Sequence, residues 1–327
     1  MTGYSFPNIE DIRAARRTLA DRVETTPVVN WTGPEADMVI ADGGRLSLKM
    51  ELFQKTGTFK ARGALLNIMA MTPEALARGV TAVSAGNHAI ATAYAAKTMG
   101  CSAKVVMLSS ASQIRVEKCR YYGADVVLID NIHDAFEEAQ RIERDEGRTF
   151  VHPFEGRSTA LGTATMGLEF VEQAPDLDAV IIPIGGGGLA AGAASAIKQA
   201  APHVKVYGVE PVGADSMYQS IKHGRPMAVE NIRTIADSLG APYAMEYTFE
   251  MCRTYLDDIV LVEDAEMVQA MRRLYTGMKL AVEPAAGAAA AALAGPLRQA
   301  LAGQHVGLVI CGTNISIADH QKLIASE

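Results

Sequence analysis

A chain of 327 residues, 49% hydrophobic and 20% charged, has globular composition and enough apolar material for two modest domains or one large one. The formal charge is −7 with no Lys/Arg block, which argues against nucleic-acid and anionic-membrane partners. Four scattered cysteines without a C-x-x-C pair, and histidines without H-x-x-x-H spacing, exclude a disulfide framework and the usual zinc sites; with a charged N-terminus where a signal peptide needs an apolar run, they point to the cytoplasm.

After an N-terminal helical segment and an apolar stretch around Met50, short β-branched runs alternate with helical patterns. VTAV (80–83) precedes a predicted helix over 88–99, KVVML (104–108) one over 112–122, and DVVLI (125–129) a charged one over 133–146; TFV (149–151) closes the run. Short apolar runs between long helices read as a parallel sheet covered on both faces. A second series follows His152-Pro153: a helix over 165–173, AVIIPI (179–184) running into four glycines, a helix over 189–200, KVYGVE (205–210), DIVLV (258–262), a helix over 264–278, and VGLVI (306–310). The apolar stretch 281–293, interrupted by Glu283, Pro284 and Gly287, is too short for a membrane span and reads as a packed helix after a turn. The expected fold is α/β with two open parallel-sheet domains. Residues 1–70 plus 152–327 form the larger and 71–151 the smaller, with the active site between them.

Gly185, Gly186, Gly187 and Gly188 lie between a strand and a helix. Glycine permits close backbone approach, so successive N–H groups at a helix N-terminus can converge on a phosphate; a flexible turn is the competing reading. No G-K-[ST] follows, as a P-loop requires, and the run lies far from the first βα turn that a dinucleotide fold uses, although Glu210 closes the next strand. One small phosphate ester suits it better, and a nicotinamide-dependent oxidoreductase is the weaker alternative. Lys60 sits among small residues beside Phe59 in KTGTFKARGA (55–64). A buried lysine favours its amine form and becomes nucleophilic towards an aldehyde; an exposed lysine at a helix start does neither.

The motifs, taken in order, carry a resemblance. TGTFKARGA resembles the lysine motif of serine/threonine dehydratases and serine racemases, which are fold-type II pyridoxal-phosphate enzymes of tryptophan-synthase-β-like fold. SAGNHA (84–89) is similar to their asparagine loop and GGGGL (185–189) to their phosphate loop. GVEPVGADSMYQS (208–220), TIAD (234–237), MKLAVEPAAG (278–287) and CGTN (311–314) continue the match across nearly the whole chain.

The resemblance implies a lyase of the ammonia-lyase type, a dehydratase converting a β-hydroxy-α-amino acid such as L-threonine or L-serine to a 2-oxo acid and ammonia by α,β-elimination. It implies pyridoxal 5'-phosphate held as an imine on Lys60, which also moves the α-proton. Phe59 would pack on the ring and Asn87 donate to its 3' oxygen. The backbone of Ser84, Ala85, Gly86, Asn87 and His88 would grip the substrate carboxylate, and Gly185 to Gly188 with Leu189 the phosphate. Glu283 would lie near the ring and Cys311 face the pyridine nitrogen. Ser84 would add a loop hydroxyl in a catalytic position, structural or carboxylate-binding, while His88 and Arg62 read as structural. A homodimer is common in such a family. A thiol cannot hold the ring nitrogen cationic, which weakens the electron sink and favours expulsion of a β-group as the α-proton departs.

The departures from the pattern matter as much. Racemases of this kind carry a second serine in the asparagine loop; here it is Ala85, which holds no proton, so racemisation and β-replacement are weaker readings. The cation-binding relatives use a glutamate, a carbonyl and an acid. Glu210 and Ala214 match, but Ser216 replaces the acid, leaving Mg²⁺ or Ca²⁺ binding and an internally paired Glu210 both open. Phe154, Thr163, Ala164 and Ser238 also depart, so serine, 3-hydroxyaspartate or another β-hydroxy amino acid competes with threonine. No arginine stands out to clamp a second carboxylate. A cofactor-carrying protein without catalysis is the remaining reading from another class.

Overall fold

The computed structural model describes residues 3–325, which form two sheets. The strands are β1 (Val28–Trp31), β2 (Arg45–Lys49), β3 (Val80–Val83), β4 (Ala103–Leu108), β5 (Asp125–Ile129), β6 (Thr149–Phe150), β7 (Ala179–Pro183), β8 (Lys205–Pro211), β9 (Asp258–Val262) and β10 (His305–Val309). One sheet is six-stranded in the order β1-β2-β10-β7-β8-β9, and the other four-stranded in the order β5-β4-β3-β6. All neighbours are parallel except β1 and β2, which pair antiparallel from Val28↔Lys49 to Trp31↔Leu46. That edge was not expected. VVNW and RLSLK mix polar and apolar residues and lack the continuous apolar run that marks a strand covered on both faces.

Helices cover these sheets, and their ends follow local chemistry. Thr72 caps the helix Pro73–Arg78 through Ala75 N–H, with proline in its first turn, and Gly100 ends Asn87–Met99 in the left-handed region. The helix predicted over 165–173 begins well earlier, at Arg157, and the reason is close packing. A Cβ on Gly162 would lie 2.6 Å from the Arg62 carbonyl, and one on Gly167 2.4 Å from the Ala193 oxygen. These glycines let Arg157–Gln173 touch Lys60–Met69 on one side and Gly188–Ala200 on the other, backbone to backbone. The lysine helix and the glycine-loop helix thus share a neighbour that sets their separation.

The helix Lys60–Met69 is a wall common to both sheets. Its Ala61, Ala64, Leu65 and Ile68 join Ile90, Val105 and Cys119 in the core beneath the four-stranded sheet. Its Arg62 points the other way and is fully buried, with Glu51, Glu169 and Lys49. Arg62 donates to Glu51 at 2.9 Å and to Glu169 at 2.7 and 2.8 Å, and Lys49 donates to Glu169 at 2.9 Å. Two cations and two carboxylates satisfy one another, which makes their burial tolerable. Among the described residues no helix is long and apolar enough to cross a membrane.

Candidate active site

Lys60 opens its helix at the carboxyl-end side of both sheets, where CGTN clasps its segment: Phe59 N–H donates to the Cys311 carbonyl at 3.4 Å and Thr313 N–H to Gly57 at 3.1 Å. The ammonium donates to the Pro153 carbonyl at 2.5 Å and lies 5.3 Å from the centre of the Phe59 ring. Its tip opens into a cavity, so the side chain is only half-buried by surface area, yet protein encloses it elsewhere. Desolvation lowers its pKa to about 8, against weak opposing pulls from Cys311 and Glu283. No carboxylate hydrogen-bonds to it among the described residues. Amine and ammonium are therefore both populated near neutrality, as a lysine that must attack an aldehyde requires.

The asparagine loop faces it across the cavity. Ser84 Oγ accepts from Gly86 N–H at 3.1 Å, so this hydroxyl shapes the turn. Asn87 is buried; its amide donates to Glu283 at 2.8 Å, and its oxygen accepts from Asn314 at 2.7 Å. One amide hydrogen stays free for a further acceptor. The buried His88 imidazole bonds the Val151 carbonyl at 2.7 Å, and burial drives its pKa to about 3, so it is a neutral tie between helix and strand. Glu283 is raised to about 7 by burial, opposed chiefly by Arg115, and Cys311 is pushed up by burial and stays a thiol.

The glycine loop meets the test for a phosphate. No protein acceptor takes the N–H groups of residues 185–189 among the described residues. A Cβ at Gly186 would lie 2.2 Å from the Phe154 ring, and one at Gly188 2.6 Å from the Phe154 carbonyl; Gly187 has φ +88°. Unused donors at the start of the helix Gly188–Ala200, in a cradle closed to side chains, fit an anion. Phosphate at this loop, an amine at Lys60 and a donor at Asn87 are together the fittings that pyridoxal phosphate needs.

A cavity of about 400 Å³ joins these parts. Lys60, the loop 83–88, Arg115, His152, Phe154 and Gly186 line it together with Phe136, Ile232, Ser238, Pro242 and Tyr243. Residues 20–312 match the family described as "Pyridoxal-phosphate dependent enzyme". The chain belongs to that family. Phenylserine dehydratase of Ralstonia pickettii is 50% identical, over 96% of this chain and 95% of its own. The L-threonine ammonia-lyase of Thermotoga maritima is 40% identical over 97% and 78%. Maize serine racemase superposes with a TM-score of 0.91 at 35% identity, covering 98% of this chain and 97% of the other. The enzyme is thus a lyase of fold type II, and the oxidoreductase reading is set aside.

Glu210, the acid of the expected divalent-cation set, is internally engaged in this structure. Glu210 points its oxygens at Met217 N–H (3.0 Å) and Tyr218 N–H (2.7 Å), capping the helix Ser216–His223. Burial raises its pKa to about 8 despite those bonds, and the Ser216 hydroxyl is buried without a partner. A carboxylate that already caps a helix, with Ser216 in place of the family's acid and only Asp215 nearby to substitute, makes a weaker Mg²⁺ or Ca²⁺ site than the family pattern. The internally paired alternative fits better.

Sequence reasoning missed Arg115. It lines the cavity from the helix Gln113–Tyr121, donates to Asn314 O at 3.0 Å, and pairs with both Asp237 and Glu283. Asp237 and Asn314 ended the quoted motifs TIAD and CGTN without a role. Their signal was position in a motif; Arg115 had none, because its partners lie more than a hundred residues away in sequence.

Proposed function

We propose that this lyase dehydrates β-hydroxy-α-amino acids that carry an aryl group on the β-carbon, with β-phenylserine as the model substrate. The observation that carries the choice is the cavity lining, where Phe136, Ile232, Pro242 and Tyr243, with Phe154, offer apolar and aromatic surface. The cations nearby are committed: Arg115 to Asp237 and Glu283, and Lys60 to the cofactor position, while His88 and His152 are held neutral by burial. A second carboxylate, as in 3-hydroxyaspartate, would find no free partner, and the small side chains of serine and threonine would leave the wall unfilled. The likeness to Phenylserine dehydratase supports the same reading.

Pyridoxal phosphate, when bound, supplies the electron sink that acidifies the α-proton. In the proposed roles, residues 185–189 anchor its phosphate, Phe59 supports the ring, Asn87 donates to the ring edge, and Cys311 sits by the ring nitrogen as a neutral thiol. The N–H groups of Ala85, Asn87 and His88, which meet no protein acceptor among the described residues, hold the substrate carboxylate and so orient the α-hydrogen towards Lys60, whose amine takes it. Ala85 offers no proton on the opposite side, so elimination outruns racemisation. We further propose lobes 1–70 with 152–327 and 71–151, the Lys60 helix lying between them. A homodimer in the cytoplasm is the proposed setting; the exposed Tyr121 and Ile317 and the unpaired cysteines support it.

The test is a screen of β-phenylserine, threonine, serine and 3-hydroxyaspartate, with 2-oxo acid and ammonia measured together and residual substrate analysed for its enantiomers. The expected order in kcat/KM places phenylserine first by at least about tenfold, a few kcal/mol at most for an apolar pocket. A preference for 3-hydroxyaspartate, or rapid racemisation, would overturn the reading.

A further inference from the structure

His152 adds one residue to the dehydration proposed above, and its assignment rests on that reading. The chain bends just after β6, and the N–H groups of Phe154 and Glu155 both point at His152 Nδ1, at 3.3 and 2.9 Å. Two backbone donors on one ring nitrogen fix the tautomer: Nδ1 accepts, and the proton of the neutral ring sits on Nε2. The imidazole is packed edge-to-face against Phe154, with centroids 4.6 Å apart, and at 6.1 Å from Phe150, so its direction is set as well. Desolvation, with a contribution from Lys60, lowers its pKa to about 4, which keeps it neutral at working pH.

Nε2 has no protein partner among the described residues. The ring borders both the substrate cavity and a narrow space beside Lys60, His88 and Thr163. A fixed N–H that no protein group occupies and that faces a cavity is available to a bound acceptor. Its place in the cavity names the acceptor. On one side is the loop 84–88, which holds the carboxylate end of the substrate; on the other is Phe154, at the edge of the side-chain pocket. With the substrate held as proposed above, the β-carbon and its hydroxyl lie between them.

We propose that His152 Nε2–H is the hydrogen-bond donor that receives the substrate β-hydroxyl and stabilises it as the Cβ–O bond breaks. A neutral imidazole does not give this proton away. The bonding pair leaves on oxygen, the α-proton taken by Lys60 balances it as water, and His152 orients the departing group without being consumed. A preorganised donor of this kind acts where charge develops and requires no reorganisation at that moment.

The test compares two leaving groups on the holoenzyme. Hydroxide needs a donor; chloride, from β-chloroalanine, does not. His152→Phe is expected to lower kcat for phenylserine dehydration about a hundredfold with little change in KM, while chloride elimination falls by no more than about threefold. His152→Gln, whose amide reaches the Nε2 position, recovers part of the dehydration. If His152→Phe fails to fold, His152→Gln carries the same comparison, with an intermediate ratio expected. Equal losses for the two substrates, or none, would overturn the proposal. So would weakened cofactor affinity with an unchanged ratio, which would assign the N–H to the phosphate. Wild-type enzyme that eliminates chloride but dehydrates no β-hydroxy amino acid would instead defeat the functional reading itself.

Discussion

Lys60 and Arg62 stand two residues apart on one helix, and their surroundings make them opposites. Arg62 is wholly buried and contacts two carboxylates through several hydrogen bonds, which raise its pKa further and lock its charge. Lys60 is enclosed too, yet it meets a carbonyl and an aromatic ring instead of a carboxylate, and its pKa falls to about 8. Burial alone decides neither outcome. A paired cation becomes a fastener, and an unpaired one becomes a reagent. The helix anchors itself through the first while it presents the second.

Substitutions can break this comparison. Lys60→Ala removes the reagent, and activity is expected to fall by about 10³-fold or more, assayed as ammonia release, while the denaturation midpoint barely moves. Glu169→Ala does the reverse in kind: it strips Arg62 and Lys49 of a shared partner and is expected to cost roughly 3–5 kcal/mol in chemical denaturation. A single loss of both stability and activity for each variant would mean that the two cations are not separable. A smaller change sharpens the contrast. Cys311→Asp places a carboxylate beside Lys60 and should shift the pH midpoint of cofactor capture upward by about one unit, since a nearby negative charge favours the ammonium. The smallest expected effect is from EDTA, which should leave activity and melting temperature unchanged, because the Glu210 oxygens already accept from Met217 and Tyr218 N–H.

The legible parts of the molecule were those whose chemistry is local. Gly185 to Gly188, the lysine segment and the asparagine loop each announce themselves within ten residues or fewer. The parallel strands β3, β4, β5, β7, β8, β9 and β10 show as apolar runs, whereas β1 and β2 do not, because their sequences mix polar and apolar residues and β2 buries Ser47 and Lys49. The helix Arg157–Gln173 showed only from residue 165 onward, since its first turns are marked by close contacts such as that of Gly162 with the Arg62 backbone, which only the fold reveals. Arg115 and Phe136 were invisible for a related reason. Each reaches the cavity from a helix of the four-stranded unit, and nothing in the adjacent sequence marks that direction. His152 was seen as a boundary between two runs, and its fixed tautomer needs the backbone turn that follows it.

The most direct test of the unpaired lysine is the rate at which apoenzyme captures added pyridoxal phosphate as a function of pH, followed by the cofactor's visible absorbance. The deprotonated amine is the reactive form, so the rate must rise with pH through the pKa of Lys60. A midpoint near 8 is the expected result. A rate still climbing past pH 10, as for an ordinary solvated lysine, would contradict the account.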